Sequence, residues 1–157
     1  TTRLVGSEMC IRDSIPTVDA LAYNLAGNRD IICPLMDARR NQTYTGLYRF
    51  DGNQMEIIKP QCAVGIDEII AEVNKLGQAV VFLGDGVAVF EAYIRENCTV
   101  PYTFAPAHVN KQRAGAVAAL GEIYYTEGKT ETAEEHKPDY LRLSQAERER
   151  LEGEQKK

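Results

Sequence analysis

Apolar residues recur along this chain in two rhythms, one close to the helical turn and one alternating, and their order sketches a run of elements. Val18, Leu21, Ala22 and Leu25 stand at i, i+3, i+4 and i+7, the stripe of an amphipathic helix. Thr17 is placed to cap that helix and Gly27 to end it. A strand is expected over Ile31 to Met36. Tyr44, Gly46, Tyr48 and Phe50 then alternate with Thr45, Leu47 and Arg49, as on a strand with two distinct faces. Asp51-Gly52 signals a hairpin turn, which makes Met55 to Lys59 the returning strand.

The pattern changes after this meander. Ile66, Ile69, Ile70 and Val73 mark an amphipathic helix closing near Gly77, and Ala79 to Leu83 is a short apolar run expected to be a buried strand. Gly84-Asp85-Gly86 turns the chain into a helix carrying Val87, Phe90 and Ile94 on one face. A short strand near Tyr102 to Phe104 follows, then a small-residue helix from about Lys111 to Glu127. Ala114, Ala118 and Gly121 offer that helix a flat face for close packing. Glu127 to Lys137 is polar and reads as a linker. Beyond it, Pro138 precedes a short extended segment, and Ser144 with Glu147 has capping-box spacing at the start of a charged helix. The order helix, three strands, helix, strand, helix, strand, helix predicts an α/β fold, a mixed sheet with flanking helices.

Thr1 to Asp13 has neither rhythm. Gly6 to Asp13 reads as translated adapter sequence, with an ordinary disordered leader as the alternative, so residues 1–14 are set apart from the fold. The division expected is a leader over 1–14, a main domain over 15–137, and a C-terminal segment with its charged helix over 138–157.

Composition narrows the function classes. Hydrophobic residues make up 44% and charged residues 26% of 157 residues, the balance of an ordinary globular domain with one core. The formal net charge of −5 argues against general attraction to nucleic acid, so a partner would supply most contacts if RNA is involved. The longest apolar runs, Ala79 to Leu83 and Ala116 to Leu120, fall far short of the roughly 18 residues of a membrane span. Cys10, Cys33, Cys62 and Cys98 are scattered without a CxxC pair and are expected to be reduced thiols, which points to the cytoplasm.

Two places carry candidate chemistry. Asp37, Arg39 and Arg40 sit at a strand end, followed by Asn41 and Gln42, where a carboxylate and guanidinium groups can line a cleft and hold a phosphate or carboxylate. The alternative is a solvated loop with an internal Asp–Arg contact. Gly84, Asp85 and Gly86 stand between an apolar strand and a helix N-terminus, whose N–H groups can face an anion. The alternative there is a plain tight turn. His108 and His136 are far apart, and no HExxH, HxxxH, GxSxG or GxxxxGK[ST] pattern occurs. No catalytic residue, metal ligand or cofactor is therefore assigned. Tyr44, Tyr48 and Phe50 are expected on a sheet face, and Tyr124-Tyr125 at the last turn of its helix.

Three segments in this order resemble the TsaB (YeaZ) family. Ile15 to Ala22, "IPTVDALA", is similar to the element joining the two halves of those proteins. Met36 to Tyr44, "MDARRNQTY", is similar to their "MDARRNQVY" strand-loop-strand and is the most specific of the three. Pro138 to Arg142, with Ser144 to Arg148, resembles their C-terminal signature. The resemblance implies the second half of an actin-like, sugar-kinase-like (ribonuclease H-like) fold. The "GPGSFTGLR"-type motif and the dimerisation helices of the first half are not found in this sequence, so exposed apolar surface and self-association are expected. It further implies a non-catalytic scaffold of the machinery that forms N6-threonylcarbamoyladenosine in tRNA next to the anticodon. The implied partners are the catalytic subunit TsaD and the ATPase TsaE, with a homodimer through the first half and tRNA met indirectly through the complex. The alternatives are an enzyme of the same fold, peptidase or phosphotransferase, and a stand-alone homodimeric interaction protein.

Overall fold

The structure is a computed structural model, and it describes residues 15–132, 134–135 and 141. The leader over 1–14, His136, the Pro138 to Arg142 signature apart from Leu141, and the Ser144 to Glu147 capping box lie outside the described residues. The elements follow in the expected order: α1 (Thr17–Tyr23), β1 (Ile31–Asp37), β2 (Gln42–Asp51), β3 (Gln54–Gly65), α2 (Ile66–Leu76), β4 (Val80–Leu83), α3 (Gly86–Asn97), β5 (Tyr102–Phe104) and α4 (Ala114–Thr126). They form a five-stranded sheet of order β3-β2-β1-β4-β5. β1, β2 and β3 are antiparallel neighbours, whereas β1, β4 and β5 run parallel.

The unbroken apolar runs of β1 and β4 reflect burial on both faces of the sheet. On one face Ile31, Cys33, Leu35, Val80 and Phe82 pack against Ile69, Ile70 and Val73 of α2 and Phe90 and Ile94 of α3. On the other, Ile32, Tyr48, Phe50 and Leu83 pack against Val18, Leu21 and Ala22 of α1. α4 lies outside α1, meeting it through Leu120 and Tyr124 over Ala20. Burying each such aliphatic side chain stabilises the fold by about 1.5–3 kcal/mol.

Five local expectations change. Thr17 is the first residue of α1 rather than its cap; Pro16 holds the N-cap position, with no side-chain cap bond. β3 runs past Lys59 to Gly65, because Thr45 pairs with Cys62 and Tyr48 with Ile57, so register shifts on β3 accommodate Pro60 within the strand. The β2–β3 turn falls on Gly52-Asn53, with Asp51 still paired to Gln54. α4 begins at Ala114, since Arg113 is extended. Its small-residue face is also not its packing face: Ala114 and Ala118 are exposed, and Gly121 meets only Ile15.

Candidate functional site

The Asp37-to-Gln42 connection is a tight hairpin built on left-handed backbone. Arg39, Arg40 and Asn41 have φ of 62°, 55° and 58° in succession. Asparagine tolerates that region, but arginine pays for its Cβ there by about 1 kcal/mol. Hydrogen bonds hold the conformation in place. The Arg39 N–H donates to Asp37 Oδ1 at 2.8 Å, an Asx-type turn. The Gln42 N–H donates to the Arg39 carbonyl at 3.1 Å and the Ala38 N–H to the Gln42 carbonyl at 2.9 Å. The Ile66 N–H, at the start of α2, donates to the Asn41 carbonyl at 3.0 Å and ties the hairpin to that helix. Asp37, Arg39 and Arg40 are all exposed. Asp37 thus shapes the turn through the backbone.

Gly84, Asp85 and Gly86 leave the carboxyl end of β4 beside β1. Gly84 has φ 109°, and a Cβ there would overlap the Leu35 carbonyl oxygen. Only glycine allows the two strands this approach. The Gly84 N–H donates to Asn110 Oδ1 at 2.8 Å, so it is committed within the protein. Asp85 is the exposed N-cap residue of α3 and makes no capping bond. The hairpin and this turn share one edge of the sheet at different heights. Pro34 pairs with Leu83, so Gly84 is level with Leu35, and β1 continues two residues farther, to Asp37, before the hairpin turns.

The segment after β5 covers the step between them. Asn24 Nδ2 donates to the Val109 carbonyl at 2.9 Å and the Lys111 carbonyl at 2.7 Å. Gln112 Nε2 reaches Met36 Sδ at 3.7 Å. This edge therefore gathers Asp37, Arg39, Arg40, Asp85, Lys111 and Arg113, of which the last two were not singled out by their spacing.

A second polar cluster is buried and has no signature in the sequence. Asp19 on α1 is 4% exposed. Its Oδ1 accepts the Tyr48 hydroxyl at 2.6 Å and its Oδ2 the Tyr124 hydroxyl at 2.9 Å. Burial, and then the Asp19 charge, push both phenols well above the ordinary tyrosine range. Lys129 Nζ lies 4.6 Å from the centroid of the Tyr124 ring. Tyr48 folds back over Gly46, where a Cβ would come within 2.6 Å of its hydroxyl. The cluster fastens α1, β2 and α4 together. Nearby, burial raises the Cys33 thiol to about 12, against the bond to Thr45. Tyr125, next to the anchoring Tyr124, points to solvent.

Among the described residues no three His, Cys, Asp or Glu side chains come together as metal ligands, and His108 is exposed. No helix among them is long and apolar enough to cross a membrane. A concavity of about 620 Å³ lies between Tyr23, Met55, Ile57, Ile123 and Tyr124. It adjoins the Asp51 to Gln54 tip, the opposite end of β2 from the arginine hairpin.

Residues 14–150 match the family model described as "TsaD: tRNA N6-adenosine threonylcarbamoyltransferase". The chain is 29% identical over 136 residues to the tRNA threonylcarbamoyladenosine biosynthesis protein TsaB of Bacillus subtilis (strain 168), a match covering 85% of the chain and 57% of that protein. It therefore spans little more than half the length of this relative. YeaZ from Pseudomonas aeruginosa superimposes with a TM-score of 0.58 at 15% identity, over 80% of this chain and 58% of that one. A second solved structure, described as similar to peptidase YEAZ from Pseudomonas aeruginosa, gives 0.58 at 18% identity, over 82% and 57%. These likenesses fit the mixed sheet and its flanking helices to the ribonuclease H-like, actin-like fold. The chain belongs to the TsaD family and, within it, is similar to TsaB and YeaZ proteins.

Proposed function

We propose that this chain works in the assembly that forms N6-threonylcarbamoyladenosine in tRNA next to the anticodon, as a scaffold that binds and activates the catalytic TsaD subunit. TsaE is the third component, and the setting is the cytoplasm. The observation that carries this reading is the similarity to the Bacillus subtilis TsaB protein across 85% of the chain. In this reading the chain is the second of two related halves, residues 15–137 forming the subdomain and 138–157 the signature and charged helix. Homodimer contacts belong to the first half.

The site geometry supports a scaffold. Asp37 Oδ1 holds a backbone N–H, and the Gly84 N–H is held by Asn110. These two groups therefore serve the shape of one sheet edge. The test is co-purification of the protein, in its full reading frame, with tagged TsaD and TsaE. Retention of TsaD in stoichiometric amount is expected; no enrichment over an untagged control would overturn the reading. Calorimetry of the protein alone against ATP and against Zn²⁺ checks the enzymatic alternative, for which tight binding is the signature.

A further inference from the structure

We propose that the concavity between the β3 tip and α4 is the seat of this chain's own C-terminal segment, which docks there through Leu141 and Leu143. The docking does not depend on the assembly proposed above. The concavity measures about 620 Å³, within the size range of clefts that enclose a bound molecule. Its lining includes Tyr23 of α1, Met55 and Ile57 of β3, and Ile123 of α4. Tyr23, Met55 and Ile123 are only partly buried and pack on the small core of Ala20, Leu120 and Tyr124 that joins α1 to α4. Ile57 is 42% exposed, on a strand that forms one edge of the sheet. Apolar surface is thus gathered in a hollow and left uncovered among the described residues.

The chain beyond α4 starts at the wall of this hollow. Gly128, with φ 73°, ends the helix in left-handed backbone, and the Lys129 N–H closes back on the Tyr124 carbonyl at 2.9 Å. The Lys129 ammonium lies 4.6 Å from the Tyr124 ring centroid and 2.7 Å from Glu127 Oε2, and all three residues line the concavity. Thr130 and Glu131 border an adjoining hollow of about 280 Å³ beside Pro16 and Tyr124. Thr132 and Glu135 then close a local turn, the Thr132 N–H donating to Glu135 Oε2 at 3.0 Å and the Glu135 N–H to the Thr132 carbonyl at 3.2 Å. Between Tyr125 and Tyr140 the sequence holds no large aliphatic residue, phenylalanine or tyrosine; Tyr140, Leu141 and Leu143 are the next. In an extended segment Leu141 and Leu143 share one face. Leu141 is half-buried, so it lies against protein rather than in open solvent. The tether from Lys129 to Leu141 reaches at most about 40 Å, and a linker this short sets an effective concentration of about a millimolar. A second copy or another protein must come from dilute solution, which favours the chain's own segment as the occupant.

The experiment places the photo-crosslinker benzoylphenylalanine at position 57 of the full chain, irradiates dilute protein, and maps the products by peptide mass spectrometry. A matched chain carries it at position 89, because Val89 is 57% exposed on α3, which packs on the other face of the sheet. Position 57 is expected to crosslink within the same molecule to the peptide containing Leu141, and position 89 is not. Adding Leu141→Asp/Leu143→Asp should lower the yield from position 57 by at least about tenfold, since a carboxylate is costly to bury in an apolar hollow. Leu141→Ala/Leu143→Ala should give an intermediate yield. Far-UV circular dichroism, unchanged in both variants, separates loss of docking from loss of fold. Equal labelling of the segment from both positions would mean a tail that moves freely, and would overturn the docking. So would an aspartate variant that crosslinks as well as the unaltered segment. Crosslinks from position 57 to a second copy, with none to the segment, would also overturn it and make the hollow a self-association surface.

Discussion

Asp19 and Asp37 both accept hydrogen bonds that set the course of the chain, under opposite conditions. Asp19 is 4% exposed and takes two phenols from elements 29 and 105 residues away. Asp37 lies in solvent and takes one backbone N–H two residues on. In the first region a charge is withdrawn from water, and each of its bonds joins separate elements. In the second, local bonds hold three residues in left-handed backbone and leave two guanidinium groups outside. The contrast separates polarity that assembles the fold from polarity that the fold presents.

Removing the buried acceptor should have the largest effect. Asp19→Ala strips two buried phenols of their partner and is expected to cost about 4 kcal/mol, read from urea unfolding. Gly84→Ala tests how rigidly the arginine edge is built; its Cβ collides with the Leu35 carbonyl, and a loss of about 3 kcal/mol is expected. Tyr124→Phe removes one arm of the cluster and should cost about 1.5 kcal/mol, with faster amide exchange confined to α4. Arg39→Gly reverses the sign. It relieves a left-handed non-glycine residue without losing a buried partner, and should stabilise the fold by about 0.5–1 kcal/mol. A destabilising Arg39→Gly would end the distinction between the two regions.

Alkaline titration gives a further, smaller contrast. Cys33, Tyr48 and Tyr124 all have folded-state pKa values raised by burial, so the folded chain keeps protons that the unfolded chain releases. Stability from this source is complete below the ordinary thiol range and is lost as pH rises through about 8.5 and then 10. The buried thiol alone should take away about 2 kcal/mol by pH 10. The urea midpoint should hold steady from pH 7 to 8 and then fall, less steeply in Tyr48→Phe/Tyr124→Phe.

The order of the nine elements among the described residues was legible because the chain switches cleanly between alternating and helical rhythm, with glycines at the joints. Where expectation and structure part, a local signal meets a remote contact. Pro60 reads as the end of a strand, yet the bulged pairing with β2 carries β3 through it. Ala114 and Ala118 read as a packing face, whereas α4 docks through Leu120 and Tyr124. Asp19 sits in an apolar stripe and gives no sign of phenols brought from β2 and α4. The arginine hairpin was legible as a place, through the run Asp37 to Gln42. Its left-handed backbone was not, since two arginines in succession are poor candidates for it. Lys111 and Arg113 join the edge only through the crossing of residues 105–113 over β1.

The proposed role is that this chain serves tRNA threonylcarbamoylation together with a TsaD partner. The most direct measurement is mass spectrometry of nucleosides from bulk tRNA in Bacillus subtilis depleted of its own TsaB and supplied with this protein in its full reading frame. Return of N6-threonylcarbamoyladenosine to the level of undepleted cells is the predicted result. Soluble, folded protein accumulating while the tRNA stays unmodified would contradict the account.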